Sequence, residues 1–220
     1  MAISKFNYNS FNVTPVASKA LAFNSDADGF TTASGSSMIL IKTLTASADG
    51  TLNFVNGSDD VVLDDTYPIY KFEFINMHPA TDGAKFTFQA DTGTNTSYNQ
   101  TVTTTNFRAY HNEADSATSL AYDTGEDLAQ STNFITTDTG IGNDNDQCKV
   151  GNLTIYNPSS SVFVKHFICV SNNYVLSDYS QNDFIAGYFN TTTALTRFQF
   201  KMSSGNIDSG TIKLYGIADS

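Results

Sequence analysis

The chain has 220 residues, 40% of them apolar, with 17 Phe and 11 Tyr but no Trp; 22 acidic against 11 basic side chains give a net charge of −11. That composition excludes a disordered tail and supplies enough apolar surface for a sizeable core. The acidic balance excludes a phosphate-backbone partner, because few cations are present to displace counterions from nucleic acid.

The N-terminus, MAISKFNYNSFNVTP, has no basic stretch followed by an apolar run, so no signal peptide is expected, and no segment has membrane-spanning length. Synthesis in a cytoplasm is the expectation, and the sequon Asn152-Leu153-Thr154 is then incidental. Residues 1–35 read as an N-terminal arm packed on one β-sandwich domain spanning 36–220, since no Pro/Ser-rich linker divides the chain.

From residue 37 the signal is period-two alternation. SMILIKTLTA (37–46) reads as a strand, and TLNFVNG (51–57) as a second strand closing a hairpin across SADG. In YPIYKFEFINM (67–77), Tyr70, Phe72 and Phe74 share one face and Lys71 and Glu73 the other. GAKFTFQA (83–90) repeats the pattern after a turn ending in Asp82-Gly83, which makes a central hairpin. Residues 91–147, rich in Thr, Asn, Asp and Gly, read as a long surface-loop region. Within it QTVTTTNFRAYHN and SLAYDTG have strand character, and LAQST (128–132) that of one helical turn.

Five further strand segments follow: CKVGNLTIYN, SVFVKHFICVSNNY, FIAGYFNTTT, LTRFQFKM and GTIKLYGI, the last two as a C-terminal hairpin. With NPSS (157–160) as a tight loop, Leu153, Ile155, Val162, Val164, His166 and Ile168 form a core face. That register sets Cys148 opposite Cys169, close enough for a disulfide in an oxidising medium. Many short strands and no amphipathic helix indicate an all-β, antiparallel sandwich or barrel. The expected core comprises Tyr70, Phe72, Phe74, Phe86, Phe88, Leu153, Ile155, Val164, Phe198, Phe200, Ile212 and Leu214.

Catalytic signals are sparse. His78, His111 and His166 are far apart, no G-x-S-x-G elbow is present, and the glycines form no phosphate loop. Acidic loops are the recurrent chemical feature: NSDADGF with Asp26 and Asp28, GSDDVVLDD with Asp59, Asp60, Asp64 and Asp65, and GNDNDQ with Asp144 and Asp146. Oxygen donors so spaced suit Ca²⁺, with Asp26, Asp28, Asp144 and Asp146 the candidate ligands, but the same residues are the common turn formers. No cofactor is otherwise indicated. A glycosidase would need two carboxylates across a cleft. The Tyr-rich stretch NNYVLSDYS (172–180) suits either sugar stacking or a sandwich edge or oligomer interface.

MSSGNIDSGTIKLYGI resembles the C-terminal signature of a family of tailed-phage virion proteins common among marine phages. YPIYKFEFINMHPATDGAKFTFQ, FRAYHNEADS, TGIGNDNDQ, YNPSSSVFVKHF and AGYFNTTTALTRFQFKMSSGN resemble the same family in the same order, covering residues 36–217. The resemblance implies a jelly-roll-like sandwich and a non-enzymatic structural role on the virion, as a surface-exposed capsid decoration, a fibre or a tail component. It transfers no catalytic residue. The implied partners are copies of the chain itself, as a trimer by analogy with virion appendages, and other capsid or tail proteins. The competing expectation is a receptor- or carbohydrate-binding module that uses the 91–147 loops on a host-surface glycan. Neither a nucleic acid nor a membrane is an expected partner.

Overall fold

A computed structural model describes residues 21–24, 26, 29–32 and 37–218. The described residues form fourteen strands and no helix. A separate two-stranded ribbon pairs β1 (Leu21–Phe23) with β2 (Phe30–Thr32). Most of the expected N-terminal arm, residues 1–20 included, lies outside the described residues.

The remaining strands are β3 (Met38–Asp49), β4 (Leu52–Val55), β5 (Ile69–Pro79), β6 (Phe86–Thr92), β7 (Val102–Asn112), β8 (Thr118–Tyr122), β9 (Ile135–Thr136), β10 (Lys149–Tyr156), β11 (Lys165–Val175), β12 (Tyr179–Phe189), β13 (Leu195–Met202) and β14 (Ile207–Ile217). They build an eight-stranded sheet, β3-β14-β5-β10-β11-β12-β7-β8, and a four-stranded sheet, β4-β13-β6-β9, antiparallel throughout. Eight of them pair outermost with outermost: β3 with β14, β4 with β13, β5 with β10, β6 with β9. A long antiparallel hairpin folded over on itself gives this order, the order of a jelly roll. The hairpins β7–β8 and β11–β12 are insertions that widen only the larger sheet.

Three strand pairs expected as hairpins are corners between the two sheets. β3 and β4, β5 and β6, and β13 and β14 each place one strand in each sheet. Their short turns lie together: Asn206 donates from Nδ2 to Ala48 O at 2.8 Å and accepts from Ala80 N at 3.0 Å. The last strand is interior to its sheet, between β3 and β5.

The two sheets close on a phenylalanine cluster. Alternation turns Phe72 and Phe74 of β5, Phe86 and Phe88 of β6, and Phe198 and Phe200 of β13 inward, all buried. The Phe200 ring meets those of Phe54, Phe72, Phe74, Phe86 and Phe88 at centroid distances of 5.1–6.2 Å. Of the twelve residues expected in the core, Tyr70 to Leu214, only Val164 is incompletely buried, but Val162, His166 and Ile168, expected on a core face with it, are exposed.

The expected β10–β11 register is corrected. Leu153 pairs with Cys169 and Ile155 with Phe167, so the connection runs from 157 to 164 rather than over NPSS alone. Asn157 N donates to Pro68 O and Leu195 N to Pro158 O, and these contacts end β10 early. The slip is five residues, an odd number, so β11 is turned over. Phe167 and Cys169 face the core while Val162, His166 and Ile168 are exposed. Cys148 lies five residues before Leu153, about 16 Å from Cys169 along the sheet. Both thiols are free, and no bridge is possible without rebuilding the sheet.

LAQST is not a helical turn. Residues 128–131 lie beside β7 with a bend at 129–130, where Gln130 has a φ of 48°; Leu128 O accepts from Thr104 N, and Ser131 and Val102 exchange backbone hydrogen bonds at 3.0 and 2.8 Å.

Candidate interaction face

The four-stranded sheet covers the inner face of the larger sheet as far as Phe167 of β11 and Phe189 of β12, which meet Phe88 at 5.3 and 6.4 Å. Beyond them, β11, β12 and β7 present inward Ser171, Asn173, Gln181, Asp183, Thr104 and Asn106, all buried. The segment 123–147 is what buries them. Asp123 holds Arg108 at 3.1 Å, Thr139 Oγ1 donates to Gln181 Oε1 at 3.0 Å, and Asp138 lies 3.1 Å from Lys149. At the start of the same region, the buried Asp91 carboxylate accepts from Thr92 N, Asn95 Nδ2, Gln100 Nε2 and Tyr98 N, at 2.8–2.9 Å. The Thr/Asn/Asp-rich region is therefore anchored by buried polar side chains along much of its length.

Val102, Phe167, Cys169, Ile185 and Phe189 of β7, β11 and β12 also turn into the core, and a second set of apolar side chains faces out. One row crosses five strands: Asn152, Val170, Phe184, Phe107 and Tyr122 are consecutive cross-strand partners. The Phe107 and Phe184 rings stack at 4.9 Å and 6°. The next row brings Thr154, Ile168, Ala186 and Thr105 together. Phe107, Ile168 and Tyr122 are 43%, 47% and 51% exposed. The outward positions of β10, β11, β12, β7 and β8 contain no Asp, Glu, Lys or Arg. The outer face of the other half differs: Lys71 pairs with Glu73 at 3.0 Å, and Lys213 lies opposite Glu73. Two hollows mark the uncharged face, a groove of about 400 Å³ beside Tyr156, His166 and Tyr188 and a dimple of about 150 Å³ beside Phe107, Ile168 and Phe184.

Two polar clefts are also present, the first at the end of this same face, where Glu113 and Asp115 of the β7–β8 turn meet outward residues of β7 and β11, and the second away from it. The first, about 450 Å³, is lined by His111, Glu113, Asp115, Asn172 and Tyr174. Here the Tyr174 hydroxyl donates to Glu113 at 2.9 Å, which pushes its pKa up to about 12. His111 Nε2 lies 2.9 Å from Asp115. The second, about 370 Å³, brings His78, Asp146, Cys148 and Asp208 to one opening. His78 Nδ1 lies 3.5 Å from Asp208, and Cys148 Sγ is 3.9 Å from Asn76 Oδ1. Burial pushes the Cys148 thiol up, away from the thiolate that nucleophilic chemistry needs.

The calcium candidates are only partly brought together. Asp144 and Asp146 share one turn, closed by Gln147, which accepts from Asp144 N and donates to Asp144 O. Asp26 lies in the turn of the β1–β2 ribbon, and Asp28 lies outside the described residues. Among the described residues, no three His, Cys, Asp or Glu side chains are grouped to hold a metal ion.

The sequence reading missed the outward face because β11 was assigned the opposite orientation. Its signal was present in the lack of charge from 166 to 175 and from 184 to 189. Comparison with family models, with curated proteins and with solved structures finds no match to this chain.

Proposed function

We propose that the chain is a non-enzymatic structural protein of a tailed-phage virion, carried on the particle surface as a capsid decoration, fibre or tail-associated component and self-associating there. The observation that carries this reading is the uncharged, aromatic outer face on an otherwise strongly acidic chain. A solvated sheet face normally alternates apolar-in with polar-out; an apolar patch of this extent on a soluble fold marks a contact surface. The collinear resemblance of residues 36–217 to virion proteins supports the same reading, as does the jelly-roll strand order, which recurs in capsid and lectin domains. Cryo-electron microscopy of purified particles, with gold-labelled antibody to the chain, tests it. Regularly spaced copies on capsid, neck or tail are expected, and a chain absent from washed particles overturns the proposal.

The second reading, a glycan-binding module, is favoured by one observation. The 450 Å³ cleft sets Tyr174 beside Asn172, His111 and Glu113, an aromatic ring among polar groups at a loop from the 91–147 region. Saturable binding on a glycan array, lost in Tyr174→Ala and retained in Phe107→Asp, is its expected signature.

A further inference from the structure

We propose that the outer face of β10, β11, β12, β7 and β8 is a homotypic interface, and that its occupant is the same face of a second copy of this chain. This deepens the structural role proposed above by naming the surface and the partner.

Charge selects the occupant. Every copy carries −11, so two copies meet at low cost only where neither presents acidic side chains. The outward positions of these five strands meet that condition, and the Lys71, Glu73 and Lys213 half of the same sheet does not. A partner of different charge would be steered by complementary charge, and this face offers none to read.

Size agrees. Five strands about 4.8 Å apart and some nine residues long make a patch of about 700 Å². A standard interface buries about 800 Å² from each partner. The patch is also centred on an anchor: the stacked Phe107 and Phe184 rings, flanked by Ile168 and Tyr122. A face that packs against itself makes an isologous pair about a two-fold axis, with the sheets about 10 Å apart.

The experiment is sedimentation velocity of the full chain across micromolar concentrations, compared with Phe107→Asp, Ile168→Asp and, as a charge-matched control, Thr43→Asp on the outer face of β3. Wild type and the control are expected at twice the 23.8 kDa chain mass. The two face variants are expected to weaken association about 100-fold while keeping their melting transition, since each buries an unpaired charge in the interface. An independent readout does not depend on the variants' folding. In a Cys148→Ser background, Ala186→Cys at the centre of the face should give a dimer with a short bis-maleimide, and Thr43→Cys should not. A monomer at high-micromolar concentration, or association unaltered in both face variants with no Ala186→Cys cross-link, overturns the interface. Pairing through this face by a chain absent from particles would remove only the virion reading.

Discussion

Lys149 Nζ lies 3.1 Å from Asp138 Oδ2 where solvent reaches neither side chain. The ammonium also donates to Thr137 O at 2.7 Å and Ser171 Oγ at 2.8 Å, and Asp138 accepts from Phe86 N and Gly140 N, each at 3.0 Å. The pair thus ties β10 and β11 of the large sheet to β6 of the small one through the 123–147 segment. Removing one partner strands the other charge in the interior, at a cost of about 3–5 kcal/mol. Lys149→Met is expected to lose that much in urea unfolding. Lys149→Met combined with Asp138→Asn should lose clearly less than the two single losses added. Strict additivity would mean that the pair does not interact.

Asp183 gives the fold a pH dependence. Burial pushes its carboxyl up from 3.8 to about 6, against the pull of Lys149, the hydrogen bonds from Gln181 Nε2 and the more distant Arg108; Asp138 pushes the same way as burial. A raised folded-state pKa means that the native chain binds the proton more tightly than the unfolded chain. The contribution of this group is therefore greatest below pH 4 and is lost as pH rises through 6, by about 3 kcal/mol in full. Asp183→Asn has no such titration. Its stability relative to wild type should improve between pH 4 and pH 7, and a difference that stays flat over that range would remove the assignment.

The cysteines should behave as two unrelated thiols. Cys169 is fully buried opposite Leu153, and burial pushes its pKa to about 12. Cys148 is partly exposed, at the mouth of the His78 cleft. An aromatic disulfide reagent is expected to modify one thiol in the native chain and two in denaturant. Prolonged oxidation should leave non-reducing and reducing gels the same for the monomer band. An internal bridge would require the discarded register.

Phe200 touches five other rings, so its truncation leaves a cavity that neighbours in both sheets cannot fill. Phe200→Ala should cost about 3–5 kcal/mol. Phe163→Ala, at a residue 69% exposed in the 157–164 connection, should fall within about 0.5 kcal/mol of wild type. Equal costs would mean that the core is centred elsewhere.

These cases show what was legible in the sequence. Strand alternation at Tyr70-Phe72-Phe74 and Ile212-Leu214 fixed which side chains face the core, because that needs only the two-residue period. Strand partners were not legible. An alternating strand, a turn and a second alternating strand look alike whether they fold as a hairpin or turn a corner between sheets, and SSGN, SADG and the turn ending in Asp82-Gly83 all turn corners. The β11 face was inverted for another reason. Its inward positions include Lys165, Ser171 and Asn173, satisfied or sheltered by loops distant in sequence, while Ile168 and Val170 point out. Apolarity marks a core only when the outer face is solvated, and a contact face imitates it. Asp138 and Asp91 were not distinguished within the 91–147 loop region because nothing local separates a buried carboxylate from an exposed one.

In the terminal strand, Gly216 meets the ring of Tyr67. A Cβ on Gly216 would lie 2.2 Å from Tyr67 Cδ2 and 2.5 Å from Cε2, and the Tyr67 ring is itself held edge-on to Tyr70 at 5.7 Å. Tyr70 is not free to yield. Its buried hydroxyl accepts from Asp64 N and donates to Asp64 O, both at 3.1 Å, which fixes the chain leading into β5. Gly216 is thus required by the close approach of a ring to the sheet between β3 and β5, not by an unusual backbone angle. Gly216→Ala should displace Tyr67 and cost about 1–3 kcal/mol. In Tyr67→Ser the ring is gone, and the same Gly216→Ala change should become nearly neutral, because alanine suits an extended backbone at least as well as glycine. The two effects are therefore expected to couple by about 1 kcal/mol or more in a double-mutant cycle read by thermal unfolding. A Gly216→Ala cost that is unchanged in the Tyr67→Ser background would place the constraint in the backbone of β14 rather than in the ring.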